Sequence, residues 1–210
     1  MSDSGEWKED YSRNVDLYTN LYKEHGISPA SLNWGSRDSQ CRRFEVLSSI
    51  GDLEGASILD IGCGLGDFYA WLKDKKLSVD YTGMDITPCM IDAAKDRFPE
   101  VDFQVKDIFS IDGEKIYDYV FASGIFYLVR KDPEIFMRRV VKKMFLLSKV
   151  AVGFNSLSAW AGSRDDGEFY ADPSRTLTTF GEITPYVCLR HDYHPGDFSM
   201  FLYRNKLGSL

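Results

Sequence analysis

The chain has 210 residues, 44% of them hydrophobic, and a formal net charge of −7. It is long enough for one domain with a full core, and its acidity works against attraction to nucleic-acid backbones. No apolar run approaches the ~20 residues of a membrane span, the start Met1-Ser2-Asp3-Ser4-Gly5-Glu6 is acidic, and Cys41, Cys63, Cys89 and Cys188 lack C-x-x-C spacing. A cytoplasmic protein with reduced thiols and no zinc site is expected.

Residues up to about Arg13 are polar and expected to be mobile until something covers them. Val15, Leu17, Tyr18, Leu21 and Tyr22 then recur at helical spacing up to His25-Gly26. Ser36 to Ser39 offer caps for a second helix over 40–50, with Phe44, Leu47 and Ile50 as its apolar stripe. At 58–68 an apolar run stops at Gly62, Gly64 and Gly66, with Asp60 two positions ahead. This predicts a strand, a turn and a helix whose main chain can cradle a ligand. The dinucleotide fingerprint G-x-G-x-x-G would need its third glycine where Asp67 stands.

A helix over 68–76 and a strand over 79–86 complete a βαβ unit. Asp85 falls at the end of that strand, where an acid can accept hydrogen bonds from the ribose hydroxyls of an adenosine. Thr87-Pro88 supply a cap and first position for a helix over 88–97. A third strand over 101–105 ends in Lys106-Asp107-Ile108. A fourth over 117–124 ends Ala122-Ser123-Gly124-Ile125-Phe126-Tyr127, with small residues where a ligand would need close approach and aromatic ones beyond. Asp132-Pro133 starts a long helix over 134–148, whose Arg138, Arg139, Lys142 and Lys143 read as a solvated face. A fifth strand over 150–155 leads to Asn155-Ser156. The stretch 157–176, with Trp160, Phe169 and Tyr170, is long for a connection and reads as part of a functional insertion over 157–183. Asp172-Pro173 starts a short helix, and 187–204 reads as a hairpin turning at His194-Pro195-Gly196-Asp197.

The run Asp60-Ile61-Gly62-Cys63-Gly64-Leu65-Gly66 resembles the first motif of the class I S-adenosylmethionine-dependent methyltransferases. The resemblance implies a single domain over 1–210: a Rossmann-like α/β three-layer sandwich with a seven-stranded, mostly parallel sheet, an antiparallel last strand and extra N-terminal helices. It implies S-adenosylmethionine as cofactor, S-adenosylhomocysteine as product, and an N-terminal lid over 1–37 that includes Tyr18 and Tyr22. The cofactor-binding candidates are Asp60, Gly62, Cys63, Gly64, Gly66, Asp85, Ile86, Asp107, Ile108, Ala122 and Ser123; in this family an acid at Asp107 would bond the adenine amino group.

Methyl transfer from a sulfonium needs the nucleophile in line and water removed, with a base only where the nucleophile carries a proton. Tyr127, Asn155 and His194 are the candidates on the acceptor side, with His191 a further base by pKa. No Mg²⁺ or zinc is invoked. The fourth strand lacks the [DNS]-P-P-[YFW] tetrad of methyltransferases acting on nucleobase or glutamine amines; a small metabolite or sugar-like acceptor fits the acidic single domain and is expected, with no nucleic-acid or membrane partner and a monomeric or homodimeric state. The alternatives are a module that binds the cofactor without turnover and, against Asp67, a nicotinamide oxidoreductase.

Overall fold

The computed structural model describes residues 3–33, 35–111 and 116–206. Seven strands form one sheet: β1 (Ser57–Ile61), β2 (Asp80–Asp85), β3 (Asp102–Val105), β4 (Tyr117–Ala122), β5 (Ser148–Leu157), β6 (Val187–Arg190) and β7 (Asp197–Tyr203). Their order across the sheet is β3-β2-β1-β4-β5-β7-β6. The strands β1 to β5 pair in parallel, while β7 runs antiparallel to both neighbours. Six helices accompany them: α1 (Lys8–His25), α2 (Arg37–Ser48), α3 (Asp67–Asp74), α4 (Pro88–Arg97), α5 (Pro133–Leu147) and α6 (Pro173–Gly181).

Side-chain alternation along the strands makes the layers. Ile58, Tyr119, Phe121, Phe201 and Tyr203 face Phe44 and Leu47 of α2 and Phe68 and Leu72 of α3. Their chain neighbours Leu59, Val120, Ala122, Met200 and Leu202 face Val140, Met144 and Phe180 of α5 and α6. β1 is buried on both faces, as a central parallel strand is, and its one acid, Asp60, is buried with it. Proline at the first turn opens α4, α5 and α6, where its missing N–H is unneeded. The Ser36 side chain caps α2 by accepting from Ser39 N at 3.1 Å.

The N-terminal segment departs from expectation, with its first two residues outside those described. A 3-10 helix, Asp3–Trp7, leads directly into α1, so regular structure replaces the expected mobility and the helix starts well before Val15. Its anchor is Trp7, 1% exposed, whose ring packs edge-on to Phe136 and whose Nε1 donates to Lys131 O at 2.8 Å. Asp10, also buried, accepts from the Lys131 amide at 3.0 Å. The basic face of α5 is correspondingly less free than expected. Arg139 lies over the Trp7 ring and pairs with Glu6, and Lys143 donates to Ile111 O. β5 begins directly after α5, without a linker, and the Ser148 hydroxyl donates to Phe145 O at 2.9 Å. The hairpin turn falls at the carboxyl edge, where Asp197 pairs with Leu157.

Candidate active site

The strand order reverses between β1 and β4, and a crevice opens there at the carboxyl ends of the strands. The turn after β1 carries Gly62, Gly64 and Gly66 at φ of 75°, 52° and 74°, a conformation costly for residues with a Cβ. The Gly62 and Cys63 amides donate to Met84 O at 2.7 and 3.0 Å, tying the turn to the end of β2. A cleft of about 1150 Å³, counted out to its mouth, lies above it. Gly62, Cys63 and Gly64 line the cleft, whereas Gly66 lies beneath, where a Cβ would meet Phe103 Cζ at 2.9 Å.

Asp85 shapes the same cleft. Its carboxylate accepts from Gly64 N at 3.0 Å and from Thr87 N at 2.8 Å, so it braces the glycine turn and opens α4. Thr87, expected to be the cap, makes no side-chain cap bond. Burial pushes the Asp85 carboxyl upward, while the Thr87 and Gly64 amides pull it back. Asp60 lies deeper. It accepts from the Tyr81 hydroxyl at 2.5 Å, and burial raises its pKa to about 7 against the lowering effect of that bond.

Asp107 stands at the far end, accepting through Oδ1 from the Tyr11 hydroxyl and Phe109 N, both at 3.1 Å. Its Oδ2 is buried without a hydrogen-bond partner, as is Asn14 Oδ1, and both residues line the cleft. Buried polar atoms are rarely left so, and these two fit a ligand that donates at this end. Ile86, Ile108 and Ser123 line the cleft too. Ala122 does not: it is fully buried against the α5 layer, because strand alternation turns its side chain the other way.

Sequence reasoning missed several lining residues. Tyr11 and Asn14 share one face of α1 with the lid candidate Tyr18, and the late start assigned to this helix concealed those two. Leu32 lies on the glycine turn, where a Cβ on Gly64 would meet its Cδ2 at 2.7 Å. Asp67, at the position that excluded the dinucleotide fingerprint, accepts from Gln40 at 3.1 Å and Arg97 at 2.9 Å.

A second cavity of about 640 Å³ adjoins the first and shares Leu32, Gly124 and Tyr127 with it. The Tyr127 hydroxyl bonds to the Tyr18 hydroxyl at 2.9 Å and accepts from Asn33 Nδ2 at 3.0 Å, so the N-terminal segment closes over both cavities. Burial raises the Tyr127 pKa, which leaves it a neutral phenol rather than a proton acceptor. Asn155 lines this cavity, but its side chain is taken up by Gly124 N and Ser123 Oγ, both at 2.9 Å. It holds the loop after β4 in place. Ser156, Glu168, Arg43 and Asp197 complete the polar lining, with Arg43 and Asp197 joined as a buried ion pair.

The two histidines take other positions. His194 lines neither cavity; its Nδ1 accepts from Gly196 N at 3.1 Å and lies 3.4 Å from Asp197, which folds the ring into the hairpin turn. His191 bonds to Ser158 and packs beside Trp160. The insertion is tied down by Phe169 N to Tyr127 O at 2.7 Å and Ala171 N to Leu157 O at 2.9 Å. Among the described residues, no group of three or more His, Cys, Asp or Glu could hold a metal ion.

Residues 58–144 match the methyltransferase domain family. A Mycobacterium tuberculosis protein named as a methyltransferase is 30% identical over 156 residues, 70% of this chain and 92% of that one. The malonyl-[acyl-carrier protein] O-methyltransferase of Acetivibrio thermocellus is 39% identical over 117 residues, 55% of this chain, which thus spans only 36% of that protein's length. In fold, the chain is similar to the magnesium protoporphyrin IX methyltransferase of Synechocystis with bound S-adenosylhomocysteine. The TM-score is 0.66 at 12% identity, covering 95% of this chain and 98% of the other.

Proposed function

The chain belongs to the class I S-adenosylmethionine-dependent methyltransferases, and from that premise we propose that its acceptor is a small molecule, methylated on oxygen or nitrogen in the second cavity. The observation that carries this reading is the wall of Leu32, Gly124 and Tyr127 common to both cavities. The two cavities adjoin at these residues, which would bring an acceptor in one beside a cofactor in the other.

Gly62, Cys63 and Gly64 would hold the methionine part of the cofactor against the main chain. Asp85 would accept from the ribose hydroxyls through the lone pairs that Gly64 and Thr87 leave, since two carboxylate oxygens offer about four acceptor sites. Asp107 Oδ2 would accept from the adenine amino group, with Ile86 and Ile108 beside the base. When bound, S-adenosylmethionine supplies an activated methyl group on a sulfonium whose departing thioether is neutral. The chain's own contribution is position and dryness. Tyr18, Leu32 and Asn33 cover the junction, Asn155 fixes the loop carrying Gly124, and Tyr127 orients the acceptor by hydrogen bonding.

Asp85 and Asp107 against Lys106 give the cofactor cleft a negative balance, to which Asp60 adds only as it ionises, and that balance favours a cationic donor over its uncharged product. Calorimetry with S-adenosylmethionine and S-adenosylhomocysteine, followed by transfer of a labelled methyl group to a panel of small acceptors, tests the reading. Absence of cofactor binding refutes it. Binding without transfer to any acceptor supports a module without turnover.

A further inference from the structure

We infer that the second cavity selects an amine-bearing acceptor and rejects anionic ones, with Glu168 as the residue that sets this preference; the inference rests on the acceptor placement proposed above. The charged residues lining the cavity are Arg43, Asp197 and Glu168. Arg43 and Asp197 neutralise each other as an ion pair with side-chain exposures of 9% and 2%, and Arg43 also donates to Ser39 O at 2.9 Å. That guanidinium is therefore held in the wall and is poorly placed to receive an anion.

Glu168 differs. The Tyr170 hydroxyl donates to its Oε2 at 2.8 Å, and among the described residues no cation pairs with it. The bond from Phe169 N to Tyr127 O seats the neighbouring residue against the shared wall. Its charge reaches the Tyr18 and Tyr127 phenols, both of which it helps to keep protonated. The neutral groups lean the same way. Asn33 uses one amide hydrogen on Tyr127 and keeps a carbonyl oxygen for a ligand, and the Ser156 hydroxyl donates to Leu157 O, leaving its oxygen to accept. Among the described residues, the lining thus offers several acceptors and one carboxylate, Glu168, that no ion pair engages.

An ammonium, with three donors and a positive charge, matches that lining. A carboxylate or phosphate would meet repulsion without a free cation to offset it. Before transfer, the acceptor nitrogen releases one proton to solvent. Its lone pair then forms the bond to the methyl carbon as the carbon–sulfur bond breaks, and the electrons of that bond remain on sulfur. The products are the methylated ammonium and the neutral thioether.

The protein saturated with S-adenosylhomocysteine is titrated with matched amine, alcohol and carboxylate triads on common skeletons, glucosamine, glucose and glucuronate among them. Binding is followed by saturation-transfer NMR. Amines are expected to bind about tenfold more tightly than the matched alcohols, and carboxylates more weakly still. Glu168→Gln should erase the preference and Glu168→Lys should reverse it, in proteins whose thermal unfolding is unchanged. A preference for alcohols or carboxylates, or no charge preference across the library, overturns the inference. Calorimetry on the same sample separates the two readings: failure to bind S-adenosylhomocysteine defeats the proposed function, whereas binding without amine selection defeats only this inference.

Discussion

The half of the sheet that carries β1, β2 and β3 and the half that carries β5, β6 and β7 are built in different ways. In the first, main chain does most of the work. Short strands run in unbroken parallel register, three glycines turn in the left-handed region, and Asp85 at a strand end takes backbone amides. In the second, the cavity is lined by side chains from α2, the segment before it, the insertion and the hairpin, brought together by single hydrogen bonds. A site specified by local backbone geometry tolerates little change at a few positions. One assembled from distant side chains can change its ligand by exchanging one of them.

Four measurements probe this contrast further. Gly62→Val should have the largest effect, because a Cβ there would overlap Ile125 and the φ of 75° disfavours any side chain. Overpacking and strain together predict a stability loss of about 2 to 5 kcal/mol and no measurable cofactor binding, read by denaturant unfolding and calorimetry. A Gly62→Val protein with normal affinity would break the comparison. Asp85→Asn should come next, weakening the cofactor by about 1.5 to 3 kcal/mol in calorimetry, since it loses charge-assisted bonds while keeping one backbone acceptor.

Tyr127→Phe should lie on the other side of the divide. It removes the bonds to Tyr18 and Asn33, and a loss of about tenfold in kcat/KM is expected with cofactor affinity within about threefold. Equal losses in both would place Tyr127 in the cofactor half. The smallest effect concerns Asp60. Its carboxyl is raised from 3.8 to about 7 in the folded chain, so the folded state binds the extra proton between those values. Its contribution to stability is full below pH about 4 and lost as pH rises through about 7. Asp60→Asn retains an acceptor for Tyr81 and should flatten the decline of Tm over that window. A melting profile unchanged from the parent would mean that Asp60 ionises as freely as an exposed acid.

The same contrast explains what could be read from the sequence. The glycine turn and Asp85 announce themselves because glycine and strand-end acids have few other reasons to occur at that spacing. Helices α4 and α6 were legible from Pro88 and Asp172-Pro173, whose local chemistry fixes a helix start. Trp7 and Asp10 were not, since the polar residues around them hide an anchor whose partners include Phe136 and Lys131, more than a hundred positions later. His194 looked like a base because imidazole is the usual one near neutral pH, but one bond from Gly196 commits its ring to a turn. Arg43 carries no motif; its pairing with Asp197 joins residues distant in sequence that only the assembled sheet makes neighbours. Asn155 was visible at the end of its strand, yet its partners decide whether it meets an acceptor or steadies a loop.

The place of β7 also bears on how the molecule is made. Asp197–Tyr203 is the last strand in chain order, yet it fits between β5 and β6 and is buried along its whole length. As the ribosome extends the chain, β1 to β5 can assemble while the open edge of β5 and all of β6 still await a partner. A nascent chain halted at that stage exposes an apolar edge of the kind that recruits chaperones or pairs with another unfinished copy. A premature stop just before Asp197 would preserve every glycine of the turn after β1 and still yield a protein prone to aggregate.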